Sequence, residues 1–252
     1  MGFAQTKSDI DGKISLISTQ AGGNIEDNDI LKKDIPSSIS SKILLKIAKK
    51  GTPLVQLGNG NPKVMMIAGI HGNELPPQIA LLKLIESLRN SKLNGTVYII
   101  PFAAPAASMN NSRWFDGLDL NRAGSNEGSI TYKILELIQE LEVDAVADFH
   151  STKIGSNPGR ESVFCTKNPC CESFEIGQFI TKRTSSELIC YNAAGKMYKG
   201  ALEDECNIQG IPAVTCEVVS ENGQVTPGST QKSLMQMESY LKYFKIIDKI
   251  KW

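Results

Sequence analysis

Hydrophobic residues are distributed along the chain in two recurring patterns. Short continuous apolar runs are typical of buried strands, and apolar residues spaced three or four apart are typical of amphipathic helices. Runs that are largely apolar predict strands at residues 55–57, 63–70, 96–101, 143–149, 189–191 and 213–219. The periodic stretches predict helices at residues 40–50, 76–89, 129–141, 174–188, 201–208 and 231–249.

The order of these elements predicts the fold class. Strands that alternate with helices indicate an α/β protein with a partly parallel sheet that is covered on both faces. The segment Gly58-Asn59-Gly60-Asn61 is a turn former between the first two predicted strands, and it predicts a β-hairpin there. Residues 1–40 are polar and lack periodicity, which predicts an irregular N-terminal arm. Residues 41–252 are expected to form a single domain.

Composition and charge exclude several classes of protein. The chain has 252 residues, of which 41% are hydrophobic and 21% charged, as in ordinary globular proteins. Its 27 basic residues balance 27 acidic ones, so no overall field favours nucleic acid or a membrane surface. We find no apolar run near the ~20 residues that span a bilayer, and no signal-peptide pattern at the start. These features predict a cytoplasmic protein, with secretion as the alternative.

All six cysteines lie between residues 165 and 216. An even number is compatible with disulfide bonds in a secreted protein. However, the chain has no Cys-x-x-Cys pair, and Cys190 and Cys216 lie in apolar runs where cysteine behaves as a small hydrophobic residue. We therefore expect reduced thiols, and we expect none of the cysteines to bind metal.

The two histidines, His71 and His150, provide the strongest chemical signal. Each comes at or just after the end of a predicted strand, and Glu74 follows His71 by three positions. A lone histidine in such a place is commonly a structural residue, so the interpretation depends on the pair. In sheets of this kind, ligands bind beyond the carboxyl ends of the strands. We expect His71, Glu74 and His150 to hold one Zn²⁺ per chain and to leave a fourth position for water, as in catalytic zinc sites.

Four motifs in order extend this interpretation. They are His71-Gly72-Asn73-Glu74, Asp119-Leu120-Asn121-Arg122, Asp148-Phe149-His150 and residues 210–217, which read GIPAVTCE. Over roughly residues 50–245 the chain resembles the zinc carboxypeptidase superfamily, particularly its succinylglutamate desuccinylase/aspartoacylase branch. The resemblance implies a three-layer α/β/α sandwich with a mixed, mostly parallel central sheet of eight strands and zinc at the strand ends.

The resemblance also implies catalytic roles for two residues. Glu217 is the expected general base, which takes a proton from water and delivers it to the leaving amine. It lies in the apolar run 214–219, where a carboxylate without a function is unfavourable, although it could also be a surface residue. Arg113 resembles the arginine that stabilises the oxyanion of the tetrahedral intermediate. Its spacing to Asn121 differs by about one residue from that in relatives.

Other residues are expected to bind substrate or to orient the metal ligands. Asn121 and Arg122 resemble the pair that binds a free carboxylate, which a planar guanidinium grips with two hydrogen bonds. Asp119 and Asp148 are expected to orient the histidines through their other ring nitrogens. Asp148 could equally be a buried cap. Tyr198 resembles the mobile tyrosine of carboxypeptidases, and Tyr191 is a competing candidate.

The sequence is compatible with two kinds of amide substrate, a peptide and an N-acyl amino acid. Residues 192–216 contain no arginine, whereas aspartoacylase-like deacylases carry one there. The chain continues for 35 residues after Glu217, too few for the C-terminal β domain that narrows the site in that branch. Both features favour a carboxypeptidase-type peptidase acting on a small peptide. The alternative is an N-acyl amino acid deacylase, and a third hypothesis is a catalytically inactive binding protein with the same fold.

Overall fold

The computed structural model describes residues 12–248 as an eight-stranded sheet between two layers of helices. The strands are β1 Lys13–Ser18, β2 Thr52–Gly58, β3 Lys63–Ala68, β4 Thr96–Ile100, β5 Trp114–Phe115, β6 Leu118–Asp119, β7 Ala145–Thr152, β8 Ser162–Asn168, β9 Glu187–Ala193 and β10 Ala213–Val219. The helices are α1 Asp29–Asp34, α2 Ile39–Ala48, α3 Leu75–Arg89, α4 Pro105–Met109, α5 Ile130–Glu140, α6 Glu172–Thr181, α7 Leu202–Ile208 and α8 Ser229–Tyr243. Short 3₁₀ turns are Ile25–Asp27 and Leu120–Arg122.

The large sheet has the strand order β1-β2-β4-β3-β7-β10-β8-β9. Strands β4, β3, β7 and β10 are parallel neighbours, as are β8 and β9, and the remaining three pairs are antiparallel. The predicted mixed, mostly parallel α/β sheet is therefore confirmed. Because the four central strands run in one direction, their carboxyl ends meet along one edge of the sheet, where ligands bind in such folds.

Two hydrophobic cores lie on opposite faces of this sheet. Successive side chains of a strand point to opposite faces, and β3 follows this rule. Its residues Val64 and Met66 pack in one core with α3, α6 and α8, whereas Met65 and Ile67 pack in the other with α5 and α7. Every residue of β7 is buried, as expected for a central strand covered on both sides. This burial holds the strand that carries His150 in a fixed position.

The predicted hairpin at residues 58–61 is wrong. Strand β2 pairs antiparallel with β1 and β4, while β3 lies beyond β4 and is parallel to it. The physical reason is that β3 is buried between two parallel neighbours, so its pairing is decided by long-range contacts and not by the turn before it. The turn instead contacts the start of β4, where Thr96 Oγ1 donates a hydrogen bond to Gly60 O at 2.7 Å.

The expectation of an irregular arm also differs from the structure over residues 12–40. Strand β1 adds an edge strand to the sheet, and Ile14, Ile25 and Leu31 are buried in the main core. Asn28 caps α1, since its Oδ1 accepts hydrogen bonds from the backbone N–H groups of residues 30 and 31. These few apolar residues lack a sequence period because they belong to three short elements. Residues 1–11 lie outside the described residues.

Several element boundaries differ from the predictions. Helix α6 ends at Thr181, and Leu188 lies in strand β9 instead of continuing the helix. Strand β8 was not predicted because only its residues 163–165 form an apolar run. Helix α8 ends at Tyr243, six residues earlier than expected.

Two other predictions can be compared with the described part of the chain. All six cysteines are free cysteines in the part of the chain that the structure describes. Over residues 12–248, no helix combines the length and the apolar character that crossing a membrane requires.

Candidate metal centre and active site

The three candidate metal ligands lie near the carboxyl ends of two adjacent parallel strands, β3 and β7. His71 lies in the turn after β3, Glu74 immediately precedes helix α3, and His150 lies in β7, the parallel neighbour of β3. Gly72 allows this turn to approach the backbone of Ala107, because a Cβ atom at Gly72 would lie 2.0 Å from the Ala107 carbonyl carbon. Both histidines and Glu74 are buried. Local backbone packing therefore holds the two imidazoles against one carboxylate.

The facing atoms are at hydrogen-bond distance. His71 Nδ1 lies 2.8 Å from Glu74 Oε1, and His150 Nδ1 lies 2.7 Å from Glu74 Oε2. One ligand atom from each of the three residues can be chosen so that all lie within 4.8 Å of one another. This spacing is close to that of ligands about 2.0–2.2 Å from one zinc ion, which lie at most ~4.4 Å apart.

The outer nitrogens of the two imidazoles are held by aspartates. His71 Nε2 lies 2.9 Å from Asp119 Oδ1, and His150 Nε2 lies 2.6 Å from Asp148 Oδ2. A carboxylate in this position accepts the Nε2 proton and leaves Nδ1 as a lone-pair donor, which is how metal-binding histidines are commonly oriented. The predicted pairing of Asp119 with His71 and of Asp148 with His150 is seen in the geometry.

The charges around this cluster favour the binding of a cation. Burial opposes protonation of His150, but the carboxylates of Asp148 and Glu74 outweigh it and raise its pKa well above the usual range. Burial likewise raises the pKa of Glu74, but the two facing imidazoles outweigh this effect. The pKa of Glu74 therefore lies below the usual range. The site thus combines buried carboxylates with two inward-facing imidazole nitrogens. This donor set fits a zinc ion.

Glu217 lies on β10 beside His150, since the two residues are paired in the parallel register of β10 and β7. Within residues 12–248, its Oε2 atom is buried and has no hydrogen-bond partner. Burial and the nearby Glu74 carboxylate raise the pKa of Glu217 to about 8, despite the opposing effects of His150 and Arg113. A carboxyl group with such a pKa, facing a cavity, is suited to exchange protons near neutral pH.

Arg113 lies at the rim of the metal centre. Its Nε and Nη2 atoms donate hydrogen bonds to Asp119 Oδ2 at 3.1 and 2.9 Å. Its Nη1 atom lies 3.6 Å from Glu74 Oε1 and 3.3 Å from His71 Nδ1. Asp119 therefore connects Arg113 and His71, and it fixes the guanidinium beside the position that a metal ion would occupy.

Asn121, Arg122 and Tyr198 line the same cavity. The Arg122 guanidinium lies 5.1 Å from the centre of the Tyr198 ring. Asp119 also orders this region, because its Oδ1 atom accepts a hydrogen bond from Asn121 N at 3.0 Å. Tyr191 is not among the cavity-lining residues described, although its hydroxyl donates a hydrogen bond to the Tyr198 hydroxyl. The geometry thus favours Tyr198 over Tyr191 as the cavity tyrosine.

The cavity has a volume of about 310 Å³. Its wall combines the predicted residues His71, Glu74, Arg113, Asn121, Arg122, Tyr198 and Glu217 with residues that no motif identified, including Lys153, Phe164, Glu203 and Asn222. Asp119, Asp148 and His150 are not among the wall residues described. Through the hydrogen bonds given above, Asp119 contacts His71 and Arg113, His150 contacts Glu74, and Asp148 contacts His150. Glu203 was missed because the acidic triplet 203–205 resembles an exposed helix face in the sequence.

Comparison with solved structures identifies the fold. A succinylglutamate desuccinylase/aspartoacylase from Rhodobacter sphaeroides is 18% identical, with a TM-score of 0.62 over 79% of this chain and 62% of that one. The product-bound ectoine utilization protein EutE from Ruegeria pomeroyi is 19% identical, with a TM-score of 0.64 over 78% and 62%. A metallo-carboxypeptidase from Burkholderia cenocepacia is 16% identical, with a TM-score of 0.56 over 76% and 60%. The chain thus spans less than two thirds of these related structures.

Comparison of the sequence identifies the family. A search of curated protein sequences returns no match. The family model of the succinylglutamate desuccinylase/aspartoacylase catalytic domain matches residues 60–243, which is most of the chain and includes the whole cavity wall. The chain therefore belongs to the succinylglutamate desuccinylase/aspartoacylase family of hydrolases.

Proposed function

We propose that this protein is a zinc-dependent hydrolase that cleaves an amide bond next to a free carboxylate. The observation that carries the proposal is a single cavity that combines three kinds of group. These are a His71–Glu74–His150 cluster with the spacing of a metal site, a carboxyl group at Glu217 without a partner among the described residues, and the amide and guanidinium of Asn121 and Arg122.

Each group has a distinct part in the proposed reaction. A zinc ion held by His71, Glu74 and His150 would polarise the substrate carbonyl and acidify water. Glu217 accepts the proton of the attacking water at its carboxylate and donates it to the leaving amine nitrogen. The Arg113 guanidinium stabilises the negative charge that develops on the carbonyl oxygen. Asn121 and Arg122 bind the substrate's free carboxylate, and this positions the amide bond.

The substrate that we favour is a peptide, from which the enzyme removes the C-terminal residue. Three large hydrophobic residues, Trp114, Ile154 and Met197, are 56%, 74% and 61% exposed. Each is next in sequence to a cavity-lining residue, so they lie near the cavity mouth. Exposed apolar side chains around a cavity favour contacts with a substrate that extends beyond it. This arrangement supports a metallocarboxypeptidase-type peptidase.

The second candidate is an N-acyl amino acid deacylase. Two observations favour it, namely the family model and a cavity volume of about 310 Å³, near the lower end of the range for small-ligand sites. Both candidates require the same metal, the same general base and the same carboxylate-binding pair. Their substrates differ only in the group on the carbonyl side of the amide bond, which is a peptide chain in one case and a small acyl group in the other.

A parallel substrate screen separates the two candidates. Zinc-loaded protein is incubated with peptides that have a free C-terminus and with N-acetyl and N-succinyl amino acids, and released amine is measured. The proposal predicts faster hydrolysis of the peptides. Faster hydrolysis of the acyl amino acids would replace the peptidase with the deacylase, and hydrolysis of neither class would refute both.

Arg122 provides a test of the requirement for a free carboxylate. The change Arg122→Lys keeps the positive charge but loses the planar pair of donors. We expect it to raise KM for substrates with a free carboxylate and to have much less effect on their C-terminal amides. Steady-state kinetics on matched acid and amide substrates measure this difference. Equal losses on both would show that Arg122 stabilises the loop and does not bind the carboxylate.

A further inference from the structure

Glu203 is a buried acid in the cavity wall that the proposed mechanism does not use. It lies in the first turn of α7 and is only 4% exposed. Asn207 Nδ2 donates a hydrogen bond to Glu203 Oε1, at 2.6 Å. The Asn207 side chain is itself fixed by the backbone N and O atoms of Ala213 at the start of β10, both at 3.0 Å. The Glu203 carboxyl group is therefore held in one place.

Glu203 has no ion-pair partner among the residues that the structure describes. Burial raises the pKa of Glu203 well above its usual range, and the charged groups that raise it further are the acids Asp204 and Asp148. A buried carboxyl group without a counter-charge is unfavourable. A cation bound beside Glu203 would stabilise its ionised, carboxylate form.

Glu203 also lies beside the proposed carboxylate-binding pair. Asn121 Oδ1 accepts a hydrogen bond from the backbone N of Leu202, the residue before Glu203, at 3.4 Å. The backbone of Arg122 packs closely on Gly200, since a Cβ atom at Gly200 would lie 2.3 Å from Arg122 O. The side chain of an amino acid whose carboxylate bound to Asn121 and Arg122 would therefore lie near the first turn of α7.

We propose that Glu203 selects substrates in which the residue with the free carboxylate has a cationic side chain, either an ammonium or a guanidinium group. The inference rests on the proposed function, because it assumes that Asn121 and Arg122 bind the carboxylate. The Glu203 carboxylate then supplies a charge-assisted hydrogen bond to the substrate's cation. Glu203 is a specificity residue in this proposal and takes no part in cleaving the bond.

The test uses substrates that have the same shape and differ in charge. Peptides and N-acetyl amino acids ending in arginine are compared with those ending in citrulline, its neutral analogue. We expect wild-type protein to show at least a ~10-fold higher kcat/KM for arginine, since hydrogen bonds to charged groups are worth more than neutral ones. In Glu203→Gln the ratio should fall towards one, while the glutamine oxygen still accepts the Asn207 hydrogen bond.

Glu205→Gln is the matched control. Glu205 is on the same helix but is not among the cavity-lining residues described, and its Oε1 atom accepts a hydrogen bond from Gly200 N that glutamine can also accept. The arginine-to-citrulline ratio of this variant should equal that of wild type. A wild-type ratio near one, or a high ratio that persists in Glu203→Gln, would overturn the inference.

Equilibrium binding separates a failure of this inference from a failure of the proposed function. Calorimetry measures the affinity of free arginine and free citrulline for zinc-loaded wild type and Glu203→Gln, whether or not any substrate is cleaved. Tighter binding of arginine that is lost in Glu203→Gln would support the specificity role even if no substrate is hydrolysed. Equal affinities, or no binding of either amino acid, would refute it.

Discussion

Glu217→Gln is expected to lower kcat by at least ~10²-fold while the protein still binds zinc. A general base contributes on that order to the rate, and glutamine cannot accept the proton of the attacking water. Zinc binding should persist because Glu217 is not among the three clustered ligands. The measurement combines steady-state kinetics with metal analysis of the purified variant.

Glu221→Gln is the control for this variant. Glu221 is an exposed acid in the loop after β10, and it is not among the cavity-lining residues described. Its replacement should leave turnover close to that of wild type. Near-normal turnover in Glu217→Gln together with a loss in Glu221→Gln would transfer the proton-transfer role to Glu221. Wild-type protein that binds zinc but hydrolyses no amide would favour the inactive binding protein.

His150→Ala is expected to abolish both zinc binding and hydrolysis. The change removes one of three ligand atoms. It also removes the imidazole that contacts Asp148 Oδ2 and Glu74 Oε2, and Glu74 Oε2 then keeps only its hydrogen bond from Ser151 N. Both carboxylates are buried, so their repulsion adds to the loss of the ligand. Metal analysis after dialysis should give about one zinc per chain for wild type and a value near zero for the variant.

Asp148→Asn provides a graded comparison with His150→Ala. This variant keeps the ligand and weakens only the group that orients it. We expect zinc affinity to fall by ~10–100-fold, as is typical when such a partner is removed. Competition with a chelator measures the affinity of each variant. Wild-type zinc affinity in His150→Ala would show that the ion, if one binds, is held by other residues.

The central sheet and the candidate metal cluster were predictable from sequence for the same reason. Each of β3, β7 and β10 is a largely apolar run because both its faces are covered, and such runs are easily recognised. His71 and His150 stand at the ends of two of these runs, so parallel pairing alone brings them to one edge of the sheet. Glu217 is in register with His150, as the position of its own run suggested.

Other features were not predictable because they depend on long-range contacts. The hairpin prediction failed because the pairing of β3 depends on β4 and β7, which lie 28 or more residues away in the sequence. Strand β1 and its neighbours have too few apolar residues to show a period. Glu203 resembles an exposed acid in the sequence, and only the packing of α7 against the cavity shows that it is buried.

Amine release by metal-free protein, measured as zinc is added back, tests the central claim most directly. The substrates are peptides with a free C-terminus and N-acyl amino acids. The proposed function predicts no hydrolysis without metal and a rate that rises in proportion to added zinc until about one ion per chain is bound. Hydrolysis at the full rate in the absence of zinc, or a rate that does not respond to its addition, would contradict the assignment of His71, Glu74 and His150 as a catalytic zinc site.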